Sequence, residues 1–173
     1  MSEHSVILLH VCCAPCATHP LQLLREHYTV VLFFSNSNIH PAEEYAARLD
    51  EARKLARLEG VPLVEDVYDH AAWLRHVRRW QKEPEGGRRC EACFRFNLRR
   101  AGEYCKREGL DAFTTTLTVS PHKNAERIFE IGRSVGPFLE MDFKKRDGFK
   151  KSVDLSREYG LYRQHYCGCE FSK

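Results

Sequence analysis

The sequence predicts an α/β fold, a mostly parallel sheet flanked by helices, and three observations point to it. Short apolar, partly β-branched runs recur at 6–11, 29–34 and 61–64. Helical spacing fills the intervals between them, and Gly or Pro marks the boundaries. The resulting β-α-β-α-β order implies parallel strands joined by right-handed crossovers. At 173 residues the chain is expected to form one domain over 1–173, with a cysteine-rich helical insertion in its middle.

Val6 to Val11 reads as a short buried strand that ends in Cys12-Cys13-Ala14-Pro15-Cys16, with a helical pattern from about Pro20 through Leu24. Thr29 to Phe34 is a second strand. Pro41 suits a first helical turn, Glu43 and Glu44 lie on the favourable side of the helix dipole, and Tyr45, Leu49, Ala52, Leu55 and Leu58 follow at helical spacing. Gly60 stops that helix, and Val61 to Val64 is a third strand. The middle differs: Ala71 to about Gln81 reads as a basic amphipathic helix, and Pro84-Glu-Gly-Gly87 breaks it. Cys90 and Cys93 then open a helix that runs through Phe94, Leu98, Ala101 and Cys105 to Gly109. Phe113 to Val119 is expected as a fourth strand, Glu126 to Val135 as a helix, and Pro137 to Met141 as an edge strand.

The composition, 43% hydrophobic and 29% charged, is that of an ordinary soluble protein. No apolar run approaches a membrane span and the N-terminus lacks a basic region followed by a long apolar one, so a cytoplasmic protein without membrane contact is expected. Eight cysteines in a reducing compartment point to metal or redox chemistry rather than structural disulfides. The net charge is only +3, yet eleven Lys or Arg face four Asp or Glu between Arg75 and Arg107. Interleaved with Trp73, Trp80, Phe94 and Phe96, that belt suits a nucleic-acid partner, and it equally suits a solvated helix face with aromatics in the core.

Four thiolates are what a [4Fe–4S] cluster requires, and Cys12, Cys13, Cys90 and Cys93 offer four. Adjacent cysteines strain a single tetrahedral ion, whereas neighbouring corners of a cubane lie far enough apart to take both. Iron–sulfur is therefore favoured over structural zinc, which normally uses two separated Cys-x-x-Cys pairs. Cys13-Ala-Pro-Cys16 is also a thiol-redox motif after a strand, and Cys16 is open to three roles: a nearby thiol, a ligand to a further metal, or a buried residue. A Cys167–Cys169 disulfide would close a small strained ring that is easily reduced, storing two electrons; further metal ligands or free thiols are the other readings. Cys105 suits the core. His10, His40, His122 and His165 border these segments, and a lone histidine is more often packed than a ligand. His122-Lys123 suits either a phosphate or base contact or an ordinary loop. Neither G-x-x-x-x-G-K-[ST] nor G-x-G-x-x-G occurs, which excludes phosphate loops of those types.

With these elements the chain resembles the epoxyqueuosine reductase QueH family. The resemblance rests on Leu9-His-Val-Cys-Cys-Ala-Pro-Cys16, on Asn38-Ile-His-Pro41 with Glu44-Tyr45 and Arg48, and on Glu83-Pro-Glu-Gly-Gly-Arg-Arg-Cys90 with Cys93-Phe94. It continues through Thr115 to Lys123 and Gln164-His-Tyr-Cys-Gly-Cys-Glu-Phe-Ser172. It implies a Rossmann-like sheet of the adenine-nucleotide α-hydrolase type, with the cysteine turn in place of the usual phosphate-binding turn. It also implies a cobalamin-independent reductase acting at the last step of queuosine synthesis, taking the epoxide oxygen from epoxyqueuosine in a tRNA anticodon loop. Cys12, Cys13, Cys90 and Cys93 match the family's [4Fe–4S] ligands, and Cys167 and Cys169 match its redox-active pair. An additional iron is implied, for which Cys16 is a candidate ligand, as is an electron donor that the sequence does not identify. The alternatives are a zinc-stabilised RNA-binding module and a thiol–disulfide oxidoreductase using Cys13 and Cys16.

Overall fold

A computed structural model describes residues 2 and 4–173. Four parallel strands, β1 (Val6–His10), β2 (Thr29–Phe34), β3 (Leu63–Glu65) and β4 (Ala112–Thr115), form one sheet in the order β3-β2-β1-β4. β1 is central and buried on both faces, which is why its sequence is an unbroken apolar run rather than an alternation. Its Ile7 and Leu9 face one core layer, shared with Leu21 and Leu24 of α1 (Ala14–Arg25) and Leu55 of α2 (Ala42–Glu59). Leu8 faces the other layer, with Leu98 of α4 (Arg88–Arg107), Phe113 of β4 and Ile128 of α5 (Ala125–Val135). A third cluster sits beyond the carboxyl ends of the strands, where Trp73 and Val77 of α3 (His70–Val77) meet Ala92, Phe96 and Cys169. Among the described residues, no helix is long and apolar enough to cross a membrane.

Several elements differ from expectation, each for a local reason. α1 starts at Ala14 instead of near Pro20, because Pro15 falls in the first turn, where no amide donor is needed. Cys16 is therefore helical and Pro20 lies inside the helix. α3 ends at Val77, and Arg78–Trp80 tightens into a 3₁₀ turn. The fourth strand stops at Thr115, whose hydroxyl accepts the Leu117 amide at 3.2 Å and turns Thr116–Val119 into a 3₁₀ helix. The expected edge strand at 137–141 reduces to one bridge between Phe113 and Phe138. A sixth helix, α6 (Gly148–Glu158), packs on α1 through Gly148, Ser152 and Ser156. That buried stripe is small and polar, so hydropathy is silent about it.

The strand order reverses between β2-β1 on one side and β4 on the other. In open parallel sheets the crevice beyond the carboxyl ends at such a reversal is the usual ligand site. Cys12 follows β1 and Thr116 follows β4, so both sit at that crevice.

Candidate metal and redox site

Cys12 is anchored across the crevice by Thr116. Its amide donates to Thr116 Oγ1 at 3.0 Å, and the same hydroxyl donates to Cys12 Sγ at 3.1 Å. Cys13, at the N-terminal boundary of α1, is almost fully buried, and Cys16 lies one turn on. The sulfurs of Cys12, Cys13 and Cys16 all fall within 4.8 Å of one another. Hydrogen bonds from Cys12, Cys16 and Gln164 hold the Cys13 thiol well below its usual pKa despite burial. Cys16 moves the opposite way, raised by its bonds to Cys12 and Cys13 and then by burial. One thiolate held by two thiols is the arrangement these directions describe.

Cys90 and Cys93 lie on the opening turns of α4, and they stand outside the 4.8 Å group. Gly86 N donates to Cys90 Sγ at 3.2 Å, and Asn97 Nδ2 approaches Cys93 Sγ at 3.9 Å. Burial raises the Cys93 thiol well above its usual value, and the neighbouring charges of Cys167, Cys169 and Cys90 add to that. The Cys167 thiol is raised in the same way, by burial and then by Cys169, Cys12 and Cys90, with Lys123 opposing. Cys167 is thus near enough to both Cys12 and Cys90 for each to oppose its ionisation. All eight cysteines are free thiols; Cys167 is exposed as a residue and Cys169 is buried.

The tail is placed by Arg48, which is only 2% exposed. Its guanidinium donates to Cys167 O at 2.8 Å, to Tyr166 O at 3.1 Å and to Glu44 Oε1 at 2.8 Å. Gly168 lies between the two thiols at φ +142°, where a Cβ would sit 3.1 Å from both Arg48 Nη1 and Ile39 Cγ1. Only glycine combines that backbone with that space.

Lys123 reaches into the same region from the loop after β4. Burial would lower its pKa, but the charges of Cys167, Cys12, Cys16 and Cys13 outweigh burial and raise it, so the ammonium is retained. Trp73 Nε1, fully buried and without a hydrogen-bond partner, lies close enough to Cys93 to favour its thiolate.

The histidines divide. His10 is structural: its Nε2 faces Ser35 O at 2.9 Å and its Nδ1 faces Thr115 Oγ1 at 2.9 Å, so the ring donates to the carbonyl and accepts from the hydroxyl. Burial lowers its pKa and keeps it neutral. His122 and His165 are exposed, whereas His40 belongs to a cluster described below. Cys105 packs in the core beside α4's apolar neighbours, as expected.

The basic belt also divides. Arg75, Arg78, Arg79, Arg88, Arg95 and Arg99 are exposed. Arg89 is buried and donates to the carbonyls of Gln81 and Glu83, and Arg100 pairs with Asp66. Trp73 and Phe96 are core residues, unavailable for stacking on a base. Sequence reasoning missed the functions of Arg48, Trp73 and Gln164. For Arg48 a signal existed, a charge at helical spacing from Tyr45 and Ala52 on an otherwise apolar face.

The family model described as Epoxyqueuosine reductase QueH matches residues 7–173. The epoxyqueuosine reductase QueH of Streptococcus pyogenes serotype M1 is 38% identical over 177 residues, covering 96% of this chain and 69% of the relative. That of Thermotoga maritima is 34% identical over 174 residues, covering 96% and 89%. Among solved structures, the chain is similar to the U34-tRNA thiolase NcsA from Methanococcus maripaludis with its [4Fe-4S] cluster, at a TM-score of 0.60. That match has 12% identity and covers 98% of this chain but 62% of the thiolase, so it carries the fold alone.

Proposed function

The chain belongs to the epoxyqueuosine reductase QueH family, and on that premise we propose that it deoxygenates epoxyqueuosine in tRNA to queuosine. Two electrons and two protons enter, the epoxide becomes an alkene, and the oxygen leaves as water. The oxygen is a poor leaving group, so the site must both deliver electrons and stabilise the departing oxygen.

The residues fit an iron–sulfur cluster. Cys12, Cys13 and Cys16 bring three sulfurs within 4.8 Å of one another, and burial holds the Cys93 thiol neutral in a way that a cationic cluster would reverse. The unpartnered Trp73 Nε1 is a donor of the kind that bonds cluster sulfurs. Cys12, Cys13, Cys90 and Cys93 would hold a [4Fe–4S] cluster, with Cys16 available to an additional iron. Those groups, when bound, supply single-electron transfer and Lewis-acid polarisation of oxygen.

The chain's own groups would do the rest. Oxidation of the Cys167 and Cys169 thiols to a disulfide releases two electrons and two protons, the amounts the deoxygenation consumes. Lys123, kept protonated by the surrounding thiols, would donate a proton to the leaving oxygen and be reprotonated from solvent. The exposed arginines of the belt would hold the anticodon-loop phosphates while the modified base is drawn out of its stack. An external donor would return the pair to dithiol.

The observation that carries this proposal is the gathering of the Cys12, Cys13 and Cys16 sulfurs within 4.8 Å at the sheet's reversal, in a chain of this family. Anaerobically reconstituted protein should absorb broadly near ~400 nm, hold about four irons for the cluster, and convert epoxyqueuosine in tRNA. A colourless zinc protein that binds tRNA without converting it would establish the zinc-stabilised module instead. The opposed pKa shifts of Cys13 and Cys16 also support thiol–disulfide exchange by that pair. Disulfide reductase activity that survives Cys90→Ser would favour it.

A further inference from the structure

A second cluster of metal-ligating groups lies apart from the thiols. The ligand atoms of His40, His70 and Glu170 all fall within 4.8 Å of one another. They come from three separate places: the segment after β2, the N-terminus of α3, and the tail just beyond Cys169.

The tautomer of His70 follows from its hydrogen bond. Nδ1 lies 2.8 Å from the Ser37 carbonyl, which only accepts, so Nδ1 carries the proton. In the neutral ring, Nε2 then presents a lone pair, and 2.9 Å away it meets Glu170 Oε2, which presents another. Both atoms are shielded from solvent, and neither has a hydrogen bond despite the short separation. Two buried acceptors so placed repel unless a cation lies between them. Two ligands each ~2.1 Å from one ion are about 3.0–3.4 Å apart at angles between a right angle and the tetrahedral value, so the observed spacing is at the close end of what co-ligands show. The backbone carbonyl on the far nitrogen is the usual outer partner of a metal-bound imidazole.

His40 supplies the third ligand atom within that distance. Its amide donates to Gly168 O at 2.9 Å, and its carbonyl accepts from Tyr166 Oη at 2.7 Å. Its ring stacks on that of His70 at 4.9 Å, and His70 stacks in turn on Trp73 at 5.3 Å.

We propose that His40, His70 and Glu170 form a two-histidine, one-carboxylate site for a divalent first-row transition ion, with Zn²⁺ as the probe. Nitrogen and carboxylate donors without sulfur suit such an ion, and a three-ligand set leaves a position for water. The ion fastens the segment that carries Cys167 and Cys169 to the segment after β2 and to α3. The site does not depend on the reductase activity or on a cluster at the thiols.

The test uses the full chain, anaerobically reconstituted so that the thiols are occupied, then equilibrated with Zn²⁺ and freed of excess. Metal analysis should find one zinc per chain in the wild type and in Cys16→Ser, and none in His70→Gln or Glu170→Gln. Bound zinc should also slow amide exchange across 164–173 in the wild type and in Cys16→Ser, and leave it unchanged in His70→Gln and Glu170→Gln. His40→Gln, which leaves the His70–Ser37 bond in place, guards against a folding defect in the other two. Crystals of the zinc-treated wild type should show anomalous scattering at the zinc edge among the three side chains. Equal zinc in the wild type and the His40→Gln/His70→Gln double variant would overturn the site. So would a wild type that takes up none, which would make the pair a histidinium–carboxylate bridge. Because the readout is zinc content, loss of epoxyqueuosine reduction leaves this result unaffected, and the reverse also holds.

Discussion

Thr116 Oγ1 serves Cys12 twice, accepting its amide at 3.0 Å and donating to its sulfur at 3.1 Å. One hydroxyl thus joins the carboxyl ends of β1 and β4 at the point where the sheet reverses order. Thr116→Val removes both bonds and leaves a buried amide unsatisfied. It should cost about 1–3 kcal/mol in denaturant unfolding, with Thr116→Ser recovering most of that. In the cluster-loaded protein, loss of a donor to sulfur should also move the reduction potential to a more negative value, measured by redox titration.

Arg48 is the only described residue whose side chain donates to the carbonyls of both Tyr166 and Cys167. Arg48→Met should destabilise the chain by roughly 1.5–3 kcal/mol, the range for hydrogen bonds to a charged group. It should also expose Cys169, whose alkylation would accelerate in mass-spectrometric labelling. Arg48→Lys should rescue little, because a single ammonium cannot replace a planar fork that serves three acceptors.

Lys123→Met tests the proton donor. Single-turnover reduction of epoxyqueuosine should slow by ~10²–10⁴-fold while tRNA affinity and the visible spectrum change little. An unaltered rate would remove Lys123 from the reaction.

The belt makes a prediction that separates its two kinds of arginine. Arg78→Ala with Arg79→Ala should weaken tRNA binding and flatten its dependence on salt, by ~1–2 in the log–log slope. Arg100→Ala should leave the slope unchanged and lower stability instead, since Arg100 is paired with Asp66. Binding curves at several salt concentrations distinguish the two.

Acid stability should report on that same pair. Burial works against the Asp66 carboxylate, but hydrogen bonds from Arg100 and Ser35 prevail and hold its pKa below the ordinary 3.8. A carboxyl depressed in the folded state contributes stability that is complete above 3.8 and is lost as pH falls through the lower folded value. Asp66→Asn should therefore be less stable than the wild type at neutral pH. The two should converge in urea midpoint as pH falls below that window.

The parallel sheet was legible because doubly covered strands are continuous apolar runs; β1 and β2 follow that rule, and β3, a half-exposed edge strand, keeps only a short apolar run. α6 was not, because Gly148, Ser152 and Ser156 bury a face with no apolar signal. The Phe113–Val119 run carries strand propensity throughout, but one local hydrogen bond, from Leu117 N to Thr115 Oγ1, ends the strand at its middle. The cysteines announced a site by their spacing, and so did the tail. Spacing could not show that a buried arginine on α2 and a glycine at positive φ set the tail's path, since both facts belong to long-range packing. The His40, His70 and Glu170 group was hidden for the same reason: its members are far apart in the chain and each looks ordinary alone.

Gly168 gives its two flanking sulfurs different surroundings: Cys167 lies near Lys123, Cys12 and Cys90, and Cys169 packs into the aromatic cluster around Trp73. The pair is thus asymmetric, one sulfur among charged and polar groups and the other against aromatic carbon. If the two close a disulfide, a reductant from solution should reach Cys167 before Cys169, because Cys167 is exposed as a residue and Cys169 is buried.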